Sequence, residues 1–441
     1  MPQFPSSDAL LSSKRLRKRV RRKARITRLL HLAKIQMQLR RQRFGDRSQI
    51  IRKLADSYKQ KIDGAGANIV VRLPKIFSII EDPIRSIATI QAFAKTLLER
   101  RIRSIDFDQA KIETYDLAAM ALLDIVATEL VVESKQRGQR LRLSGKYPKQ
   151  TGVRRFVRSM GLVKHLKVPH EVATGTEIEK IRVFDRRNRH YFAKHDPRKA
   201  DFKSKTIVGF VDHINGCLKD HKRTLTLESR AKLCDYVGEI LCNAEDHPGF
   251  VDWTIQGYLD NSLEVPICEI AIFNFGKSIA ETLKALPDSS YTRRQIDGYV
   301  ILHNGRQFFS PDWRQSDLLT LLALQGHVSS KNVTERDTRG QGMGDLIDFF
   351  QRVHKECTDC NEISAKMAII SGGTYILFDG TYQMRDSGNR GRVIAFNRQN
   401  DLASRPDPAF VKPLGNLHFP GTVISIRFPL SAASTLTTGE Q

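Results

Sequence analysis

Short apolar runs alternate with longer apolar stretches between residues 66 and 170. The short runs have the length and the branched, apolar composition of strands, and the longer ones suit helices. Strands that alternate with helices are typical of an α/β sheet, so the pattern predicts an α/β module. The predicted strands are residues 70–73, 104–107 and 140–145, and the predicted helices are residues 117–132 and 151–162.

A second series of apolar segments begins at about residue 205. A helical pattern covers residues 233–247, and an apolar strand at 270–275 runs into a turn of small residues. Further strands are predicted at 367–373 and 421–430, after a glycine-rich segment. We expect these elements to form a second domain of mixed α and β type over residues 205–441.

Residues 171–204 are polar and rich in charge, which is typical of a connection between domains. Within them, the apolar runs 181–184 and 190–192 flank a turn-prone sequence at 185–188, so we expect a hairpin. The predicted organisation is an arm at 1–62, an α/β module at 63–170, a linker at 171–204 and a second domain at 205–441 with a lid at about 280–338, which includes an apolar helix at 312–325.

Positive charge is concentrated near the N-terminus. The chain has a formal net charge of +24, and its first 60 residues hold 18 Lys or Arg against three Asp. Between residues 11 and 43, apolar residues recur among the charges at helical intervals, which predicts a basic helix or a segment that becomes helical on binding. Nucleic acid, an acidic protein surface or an anionic membrane surface would neutralise this charge. A solvated tail or a targeting signal is the alternative.

Hydrophobicity and cysteine content bear on the compartment. Hydrophobic residues make up 40% of the chain, and no apolar run approaches the ~18 residues that a membrane-spanning helix needs. The first residues turn basic without the apolar stretch of a secretory signal. The six cysteines are scattered, which favours free thiols over a disulfide framework. We therefore expect a cytoplasmic protein without a membrane span.

Glu239 and Asn243 lie four residues apart in the helix predicted at 233–247, so they share one helical face. An amide oxygen is a hard ligand suited to Mg²⁺, and a carboxylate one turn away can orient or deprotonate an attacking group. The pair suits phosphate chemistry, although the same spacing is common on solvated helix faces.

Two segments have the composition of turns that approach phosphate. The strand at 270–275 leads into small residues at 276–279, and three glycines alternate with other residues over 340–344. We expect an apolar helix to begin near Asp345, directly after these glycines. Backbone N–H groups at glycines can approach phosphate closely, and a helix N-terminus favours an anion.

In this order, the segments resemble the nucleotide-binding motifs of the GHKL family, whose ATP-binding domains occur in histidine kinases, gyrase and anti-sigma kinases. The resemblance implies a Bergerat α/β sandwich that binds ATP with Mg²⁺. It implies that Glu239 is the base in hydrolysis and that Asn243 holds Mg²⁺. Asn274 stands where the family has an aspartate that accepts a hydrogen bond from the adenine amine, and an asparagine can accept one without carrying charge. The other nucleotide-binding positions that the resemblance implies are Gly276, Ser278, Ile279, Gly340, Gly342, Gly344 and Thr422.

A second resemblance covers about a hundred residues of the first module. The order of segments from Ile102 onward is similar to a STAS domain, the fold of anti-anti-sigma factors, in which a hydroxyl at a helix start is phosphorylated. Thr114 supplies a hydroxyl at this point, but Asp116 stands where the family has a glycine. We therefore expect a STAS-like module with a structural or docking role. The expected fold is thus α/β and α+β: a basic helical arm, a STAS-like module and a GHKL sandwich.

Three functions stay open on the sequence. The leading one is a bacterial ATP-binding regulator that hydrolyses ATP slowly and thereby controls the STAS-like module and the basic arm. The second is a serine/threonine protein kinase of the anti-sigma type that phosphorylates Thr114 or a separate STAS partner. The third is a nucleic-acid-binding protein that uses nucleotide without catalysis. GHKL proteins often dimerise, so a homodimer is among the expected assemblies.

Removal of residues 1–60 tests the basic arm. If the arm contacts DNA or RNA, the full chain binds with an affinity that falls steeply with salt, because each neutralised phosphate releases counterions. The shortened chain should lose this salt-sensitive binding in anisotropy titrations at several salt concentrations. An unchanged affinity would show that the nucleic-acid contact lies outside the arm.

Overall fold

Two β-sheets of different type organise the described part of the chain. The computed structural model describes residues 49–60, 66–100, 102–136, 138, 140–160, 180–189, 197–246, 252–263, 265–325, 328, 341–358, 364–386 and 392–430. The chain divides into two units, Met1–Ile50 and Ile51–Gln441, and both sheets belong to the second.

The predicted helices and strands occur in the predicted order. The structure adds elements that the apolar pattern did not predict, among them long helices at Pro83–Glu99, Pro197–Lys219 and Tyr291–Gly305 and a strand at Asp252–Asp260. The helices are α1 (Gln49–Asp56), α2 (Pro83–Glu99), α3 (Leu117–Gln136), α4 (Thr151–Met160), α5 (Pro197–Lys219), α6 (Leu227–Asp246), α7 (Ile279–Lys284), α8 (Tyr291–Gly305), α9 (Gln315–Leu322) and α10 (Gln341–Thr358). The strands are β1 (Asn68–Arg72), β2 (Ile76–Phe77), β3 (Ser104–Asp108), β4 (Thr114–Tyr115), β5 (Arg142–Lys146), β6 (Ile181–Arg189), β7 (Asp252–Asp260), β8 (Ile267–Phe275), β9 (Lys366–Gly372), β10 (Thr374–Phe378), β11 (Arg385–Asp386), β12 (Arg392–Val393), β13 (Val411–Pro413) and β14 (Phe419–Pro429).

The first sheet is parallel, with the order β1–β3–β5. One face carries the buried side chains of Val71, Ile105 and Phe107, and Phe107 meets Phe93 of α2 edge to face with ring centroids 5.5 Å apart. Helix α2 connects β1 to β3, which is the crossover that adjacent parallel strands require. The three strands and the two helices predicted between residues 66 and 170 are confirmed as elements of an α/β arrangement.

The second sheet has seven strands in the order β13–β10–β9–β14–β8–β7–β6. Every neighbouring pair is antiparallel, so this sheet differs in type from the first. Apolar side chains on one face form the main core together with α5, α6 and α10. Trp253, Ile255 and Leu259 of β7 lie on this face, since alternate residues of a strand point to the same side.

The opposite face of the seven-stranded sheet is also buried, and it combines apolar side chains such as Phe273 and Val423 with polar ones. On β7, alternate positions carry Asp252, Thr254, Gln256 and Asp260, each 4% exposed or less. Helix α3 packs on β7, β8 and β14. Residues 117–127 of α3 are all buried, and a helix that is apolar on all sides needs partners all round it. Both faces of the sheet are therefore covered, one of them by the N-terminal α/β module.

Buried polar contacts fix α3 on this second face. The Asp116 carboxylate caps α3 by accepting hydrogen bonds from Ala119 N at 2.8 Å and from the Ser78 hydroxyl at 2.6 Å. Glu269 of β8 accepts a hydrogen bond from Leu117 N at 2.5 Å. These bonds satisfy backbone donors at a helix start that would otherwise be buried without partners. The Glu269 bond joins the N-terminal module to the seven-stranded sheet at this helix end.

A buried arginine makes another polar connection between these layers. Arg187 of β6 contacts Asp252 at 3.0 Å and Glu129 of α3 at 3.1 Å. All three side chains are less than 10% exposed, so each charge depends on the others for compensation. Burial alone would lower the pKa of Arg187, but the two carboxylates hold it above its ordinary value.

The hairpin predicted at residues 185–188 is wrong. These residues continue β6, which runs without interruption from Ile181 to Arg189 and pairs with β7. Asp185 also accepts a hydrogen bond from the Gln256 side chain at 3.0 Å. Local turn propensity is a weak preference, and pairing along nine residues outweighs it. The predicted return strand at 190–192 lies outside the described residues, as does the predicted basic helix at 11–43.

Within the described ranges, none of the helices combines the length and the apolar composition needed to cross a bilayer.

Replacement of Glu269 by glutamine tests the contact at the α3 start. Burial raises the pKa of Glu269 from 4.5 to about 7, although Arg427 on the neighbouring strand opposes this shift. Between pH 4.5 and 7, Glu269 is therefore protonated in the folded protein and ionised in the unfolded chain. As a result, this carboxyl lowers the free energy of unfolding by about 3 kcal/mol as pH rises from 4.5 to 7. Glu269→Gln should remove this pH dependence of stability, because glutamine does not titrate. Its amide oxygen can still accept the hydrogen bond from Leu117 N, so the helix contact is kept.

Urea unfolding of both proteins between pH 4.5 and 8 measures this difference. The stability of the wild type relative to Glu269→Gln should fall across the interval and stay constant above about pH 7. Parallel curves for the two proteins would contradict a raised pKa at Glu269.

Candidate functional site

Three strand ends meet at one edge of the seven-stranded sheet. Asn274 lies near the end of β8, Thr422 near the start of β14 and Ser371 near the end of β9. The strand register places Thr422 opposite both Asn274 and Ser371. Two residues predicted from the sequence, Asn274 and Thr422, are thus neighbours although 148 positions separate them in the chain.

Hydrogen bonds connect these strand ends to the turn that follows β8. Thr422 N donates to Asn274 Oδ1 at 2.7 Å, and the hydroxyls of Thr422 and Ser371 lie 2.9 Å apart. Ile279 N, the first amide of α7, donates to Ser371 Oγ at 2.9 Å. We call Asn274, Ile279, Ser371 and Thr422 the strand-end network. Because its polar atoms are mutually paired, the network holds the turn and three strands in one geometry.

Ser278 caps α7. Its hydroxyl accepts a hydrogen bond from Glu281 N at 3.3 Å, and Ser278 N donates to the Glu281 carboxylate at 2.7 Å. This reciprocal pair is a capping box, which satisfies two backbone donors at the helix start. Serine at this position therefore does more than stand in for a small glycine. The Ser278 bonds hold the pKa of Glu281 below its ordinary value, although burial acts in the other direction.

Two glycines allow the backbone to come close at the strand-end network. A Cβ on Gly421, which has a φ of 128°, would lie 2.0 Å from the backbone oxygen of Asn274. A Cβ on Gly372, with a φ of 59°, would lie 2.9 Å from Cβ of Ser278. Both distances are too short for any side chain, so only glycine fits at either position. Gly276, predicted as a site residue, donates its N–H to Pro420 O at 3.1 Å across the same junction.

Helix α6 carries Glu239 and Asn243 and is anchored at its C-terminal end. Glu239 is half-buried, and the side chain of Asn243 lies outside the described residues. Near this end, the Glu245 carboxylate accepts hydrogen bonds from Trp253 Nε1 at 3.0 Å and from Lys203 Nζ at 3.2 Å. These bonds fix the last turn of α6 against β7 and α5, so the backbone that carries Asn243 has a defined position.

Helix α10 packs beside α6 on the core face of the sheet. Burial raises the pKa of Tyr236 on α6, and the Asp345 carboxylate on α10 adds to this effect. Arg392 binds the start of α10 through Asp345, at 2.6 Å, and through Asp348. The two helices that carry predicted site residues are therefore neighbours.

Part of the glycine-rich segment is helical, although the sequence predicts a loop up to about Asp345. Helix α10 begins at Gln341 rather than near Asp345, so Gly342 and Gly344 lie in its first turn and Gly344 is buried. Gly340 lies outside the described residues. Glycine disfavours a helix interior by only about 1 kcal/mol, and packing of the apolar face of α10 exceeds that cost.

The predicted lid contains packed helices over its first part. Helices α7, α8 and α9 occupy residues 279–322, and α9 confirms the helix predicted within 312–325. Trp313, Leu318 and Leu322 belong to the main core. Residues 329–340 lie outside the described part of the chain. Residues 279–322 are thus packed on the core as helices, whereas a lid implies a loop with few core contacts.

A cleft of about 520 Å³ borders the strand-end network. Ser278 and Ser371 line it, together with His418 and the cationic side chains of Lys59, Lys284 and Arg314. Arg314 is fixed by Asp317 at 3.2 Å and donates to the backbone oxygen of Gly373. Burial lowers the pKa of His418, while Glu281 at 3.7 Å acts in the opposite direction. The cleft therefore combines hydroxyl groups with excess positive charge.

Ser371 is the member of the strand-end network that the sequence analysis missed. It lies at the end of a correctly predicted strand, directly before Gly372 and Gly373. No motif in the sequence marks this serine as a site residue. Only the pairing of β9 with β14 brings its hydroxyl to Thr422. The glycines that follow were the available signal, since paired glycines mark a close backbone approach.

Among the described residues, no group of three or more His, Cys, Asp or Glu side chains is arranged to hold a metal ion. In comparisons with protein-family models, curated proteins and solved structures, the chain matched none.

Substitution of Asn274 tests the strand-end network. Asn274→Ala removes the acceptor of the Thr422 N–H, and Thr422 is only 8% exposed. A buried donor without a partner costs about 1–3 kcal/mol, so urea unfolding should show a loss of this size. Asn274→Asp keeps the acceptor and should lose less.

The exposed Asn416 beside the cleft provides the matched control, because Asn416→Ala should change stability by less than about 0.5 kcal/mol. Equal stability of Asn274→Ala and Asn416→Ala would show that the network contributes nothing.

Proposed function

We propose that residues 205–441 bind an adenine nucleotide with Mg²⁺ in a GHKL-type site and that nucleotide state controls the N-terminal module. The observation that carries this proposal is the strand-end network. It joins Asn274, Ile279 and Thr422, three positions at which the family resemblance implies nucleotide contacts. Residues that are far apart in sequence and share one junction have the form of a site rather than of isolated motif matches.

The hydrogen-bonding capacity of Asn274 fits an adenine base. Its Oδ1 accepts one bond, from Thr422 N, and a carbonyl oxygen has two lone pairs. The second lone pair can accept from an exocyclic amine, while the side-chain amide can donate to a ring nitrogen. Asn274 is half-buried, so part of this polar group faces away from the core. The Thr422 bond fixes the orientation in which it does so.

Glu239 and Asn243 are the proposed chemical pair. They lie one turn apart on α6, and α10 beside it starts with the glycines predicted to approach phosphate. Mg²⁺, when bound, neutralises phosphate charge and orients the terminal phosphoryl group. In the proposed site, Asn243 would hold the ion through its amide oxygen, and Glu239 would accept a proton from the attacking water.

Strands β8 and β14 provide the physical link from this site to the N-terminal module. They pair through Asn274 and Thr422 at the site and through Glu269 and Arg427 under α3. Glu269 binds the first amide of α3, so a shift of β8 at the site is transmitted to that helix start. Rigid elements that pack against each other can couple nucleotide binding to the position of α3 in this way.

Phosphotransfer to Thr114 is the competing activity. Thr114 is half-buried in β4, and its N–H donates to Lys75 O at 3.0 Å. Two residues later, Asp116 is fully buried as the cap of α3 and is bound to Ser78. A helix start fixed by a buried carboxylate favours a structural role for this turn. Incubation with γ-labelled ATP separates the activities: hydrolysis releases labelled phosphate, whereas kinase activity leaves label on protein.

Calorimetry with ATP, ADP and GTP, each with Mg²⁺, tests the proposed site. The wild type should bind the adenine nucleotides more tightly than GTP, and Asn243→Ala should weaken binding about 10–100-fold, since it removes an ion ligand. Asn304→Ala is the control, because Asn304 is exposed on α8 outside the site. If none of the nucleotides binds, the proposed nucleotide site is wrong, and the domain would have a scaffolding role instead.

Hydrolysis gives an independent measure of Glu239. Glu239→Gln should retain ATP binding but lower the rate of phosphate release by about 10²–10⁴-fold, because glutamine cannot accept the proton. Release at the wild-type rate would exclude Glu239 as the base.

A further inference from the structure

Strand β1 has a free edge in the described part of the chain. It pairs with β3 on one side and is the first strand of the order β1–β3–β5. Ala67 O accepts from Ser104 N and Leu73 N donates to Asp108 O, so odd-numbered residues direct their backbone groups toward β3. Because these directions alternate along a strand, the N–H and C=O groups of Asn68, Val70 and Arg72 face the free edge.

A groove of about 530 Å³ runs between β1 and α2. On the helix side it is lined by the small residues Ala88, Thr89, Ala92 and Thr96, which fall on one face of α2. Val70 on the strand side is 49% exposed. An edge strand beside a helix with small side chains has room for another extended chain, whose backbone would pair with the strand.

The charges of the groove are of one sign. Arg72 and Arg100 line it, and none of the described residues that line it is acidic. Arg100 follows the end of α2, near the start of β3, and Ser104 of β3 pairs with Asn68. Arg72 ends β1. The two guanidinium groups therefore lie toward opposite ends of the five-residue strand.

We propose that an extended acidic segment of a partner protein binds this groove as an additional strand beside β1. Its backbone would pair with Asn68, Val70 and Arg72, small or branched side chains would face α2, and acidic side chains near its ends would meet the two arginines. Backbone pairing supplies most of the affinity, and the arginines select the charge of the partner.

Two other occupants fit the observations less well. A second copy of the chain would bring the same two arginines against each other and would add a second net charge of +24. A nucleic acid would satisfy the arginines, but its backbone has no N–H donors for the exposed strand carbonyls. An acidic polypeptide satisfies both the charge and the hydrogen-bonding pattern of the edge.

Fluorescence anisotropy with the full chain and a labelled synthetic peptide tests this binding mode. The probe alternates valine and threonine and has a glutamate at each end, and a matched peptide has lysines instead. The glutamate peptide should bind saturably with a Kd below about 1 mM, and the lysine peptide at least tenfold more weakly. A glutamate peptide with N-methylated backbone amides should lose binding, because it cannot donate to β1.

Variants of β1 locate the contact. Val70→Pro removes an N–H that faces the free edge and leaves the β1–β3 hydrogen bonds in place, since edge strands tolerate proline at such positions. It should abolish binding of the glutamate peptide, whereas Val70→Thr keeps the N–H and should bind as the wild type does. Arg72→Glu leaves Arg100 at one end and an anion at the other, so it should remove the preference between the two peptides. Thermal unfolding within a few degrees of the wild type establishes that each variant is folded.

The proposal is overturned if the glutamate peptide does not bind, if both peptides bind equally, or if Val70→Pro binds as Val70→Thr does. Concentration-dependent dimerisation that Val70→Pro prevents would instead assign the edge to a second copy, and selective binding of an oligonucleotide probe would assign it to nucleic acid. No nucleotide is present in these titrations, so their outcome is independent of the proposed ATP site.

Discussion

Burial of the polar side chains on the second face of the seven-stranded sheet beneath α3 is the constraint on which the rest of the structure depends. That face carries Glu269, Arg427 and the polar residues of β7, which would be solvated in a sheet covered on one side only. Each charge placed there costs free energy unless it is paired. The Leu117 amide and the Arg187 cluster supply such pairs, and they do so only when α3 is seated in one orientation. The N-terminal module is thereby an integral layer of the protein rather than an appended domain.

This arrangement gives the proposed nucleotide site a direct mechanical route to the N-terminal module. The site and the α3 start lie on the same pair of strands, β8 and β14. A second route passes through α2, whose buried Gln91 donates to His418 O at 2.7 Å beside the cleft. Neighbouring residues of α2, Ala88 and Ala92, line the groove proposed to bind an acidic strand. One helix thus contacts the cleft that borders the strand-end network and also the proposed groove, which would allow each region to affect the other through small shifts of packed elements.

The agreement between sequence and structure is best where hydrophobic periodicity is unbroken. The strands around Ile105 and Ile272 and the apolar helix α3 were predicted because their side-chain patterns leave one arrangement that buries them. The prediction failed at residues 185–188, where turn-prone residues are held in β6 by pairing with β7. It also placed the start of α10 too late, since packing of its apolar face overrides the glycines at its first turn. Both of these failures occurred where tertiary contacts outweigh a local preference of about 1 kcal/mol. Helices α2, α5 and α8 and strand β7 were not predicted at all.

The sequence by itself determined the type of the elements with a clear apolar pattern, such as α3 and β8, the concentration of positive charge in the first 60 residues and most members of the candidate site, among them Asn274 and Thr422. These properties can be predicted from the sequence because they depend only on the spacing and type of residues along the chain. Only the tertiary structure decided that Ser371 joins the network, that the polar face of β7 is buried and that β1 has a free edge beside α2. Strand neighbours and covering layers are contacts between distant segments, and no local pattern encodes which segments meet.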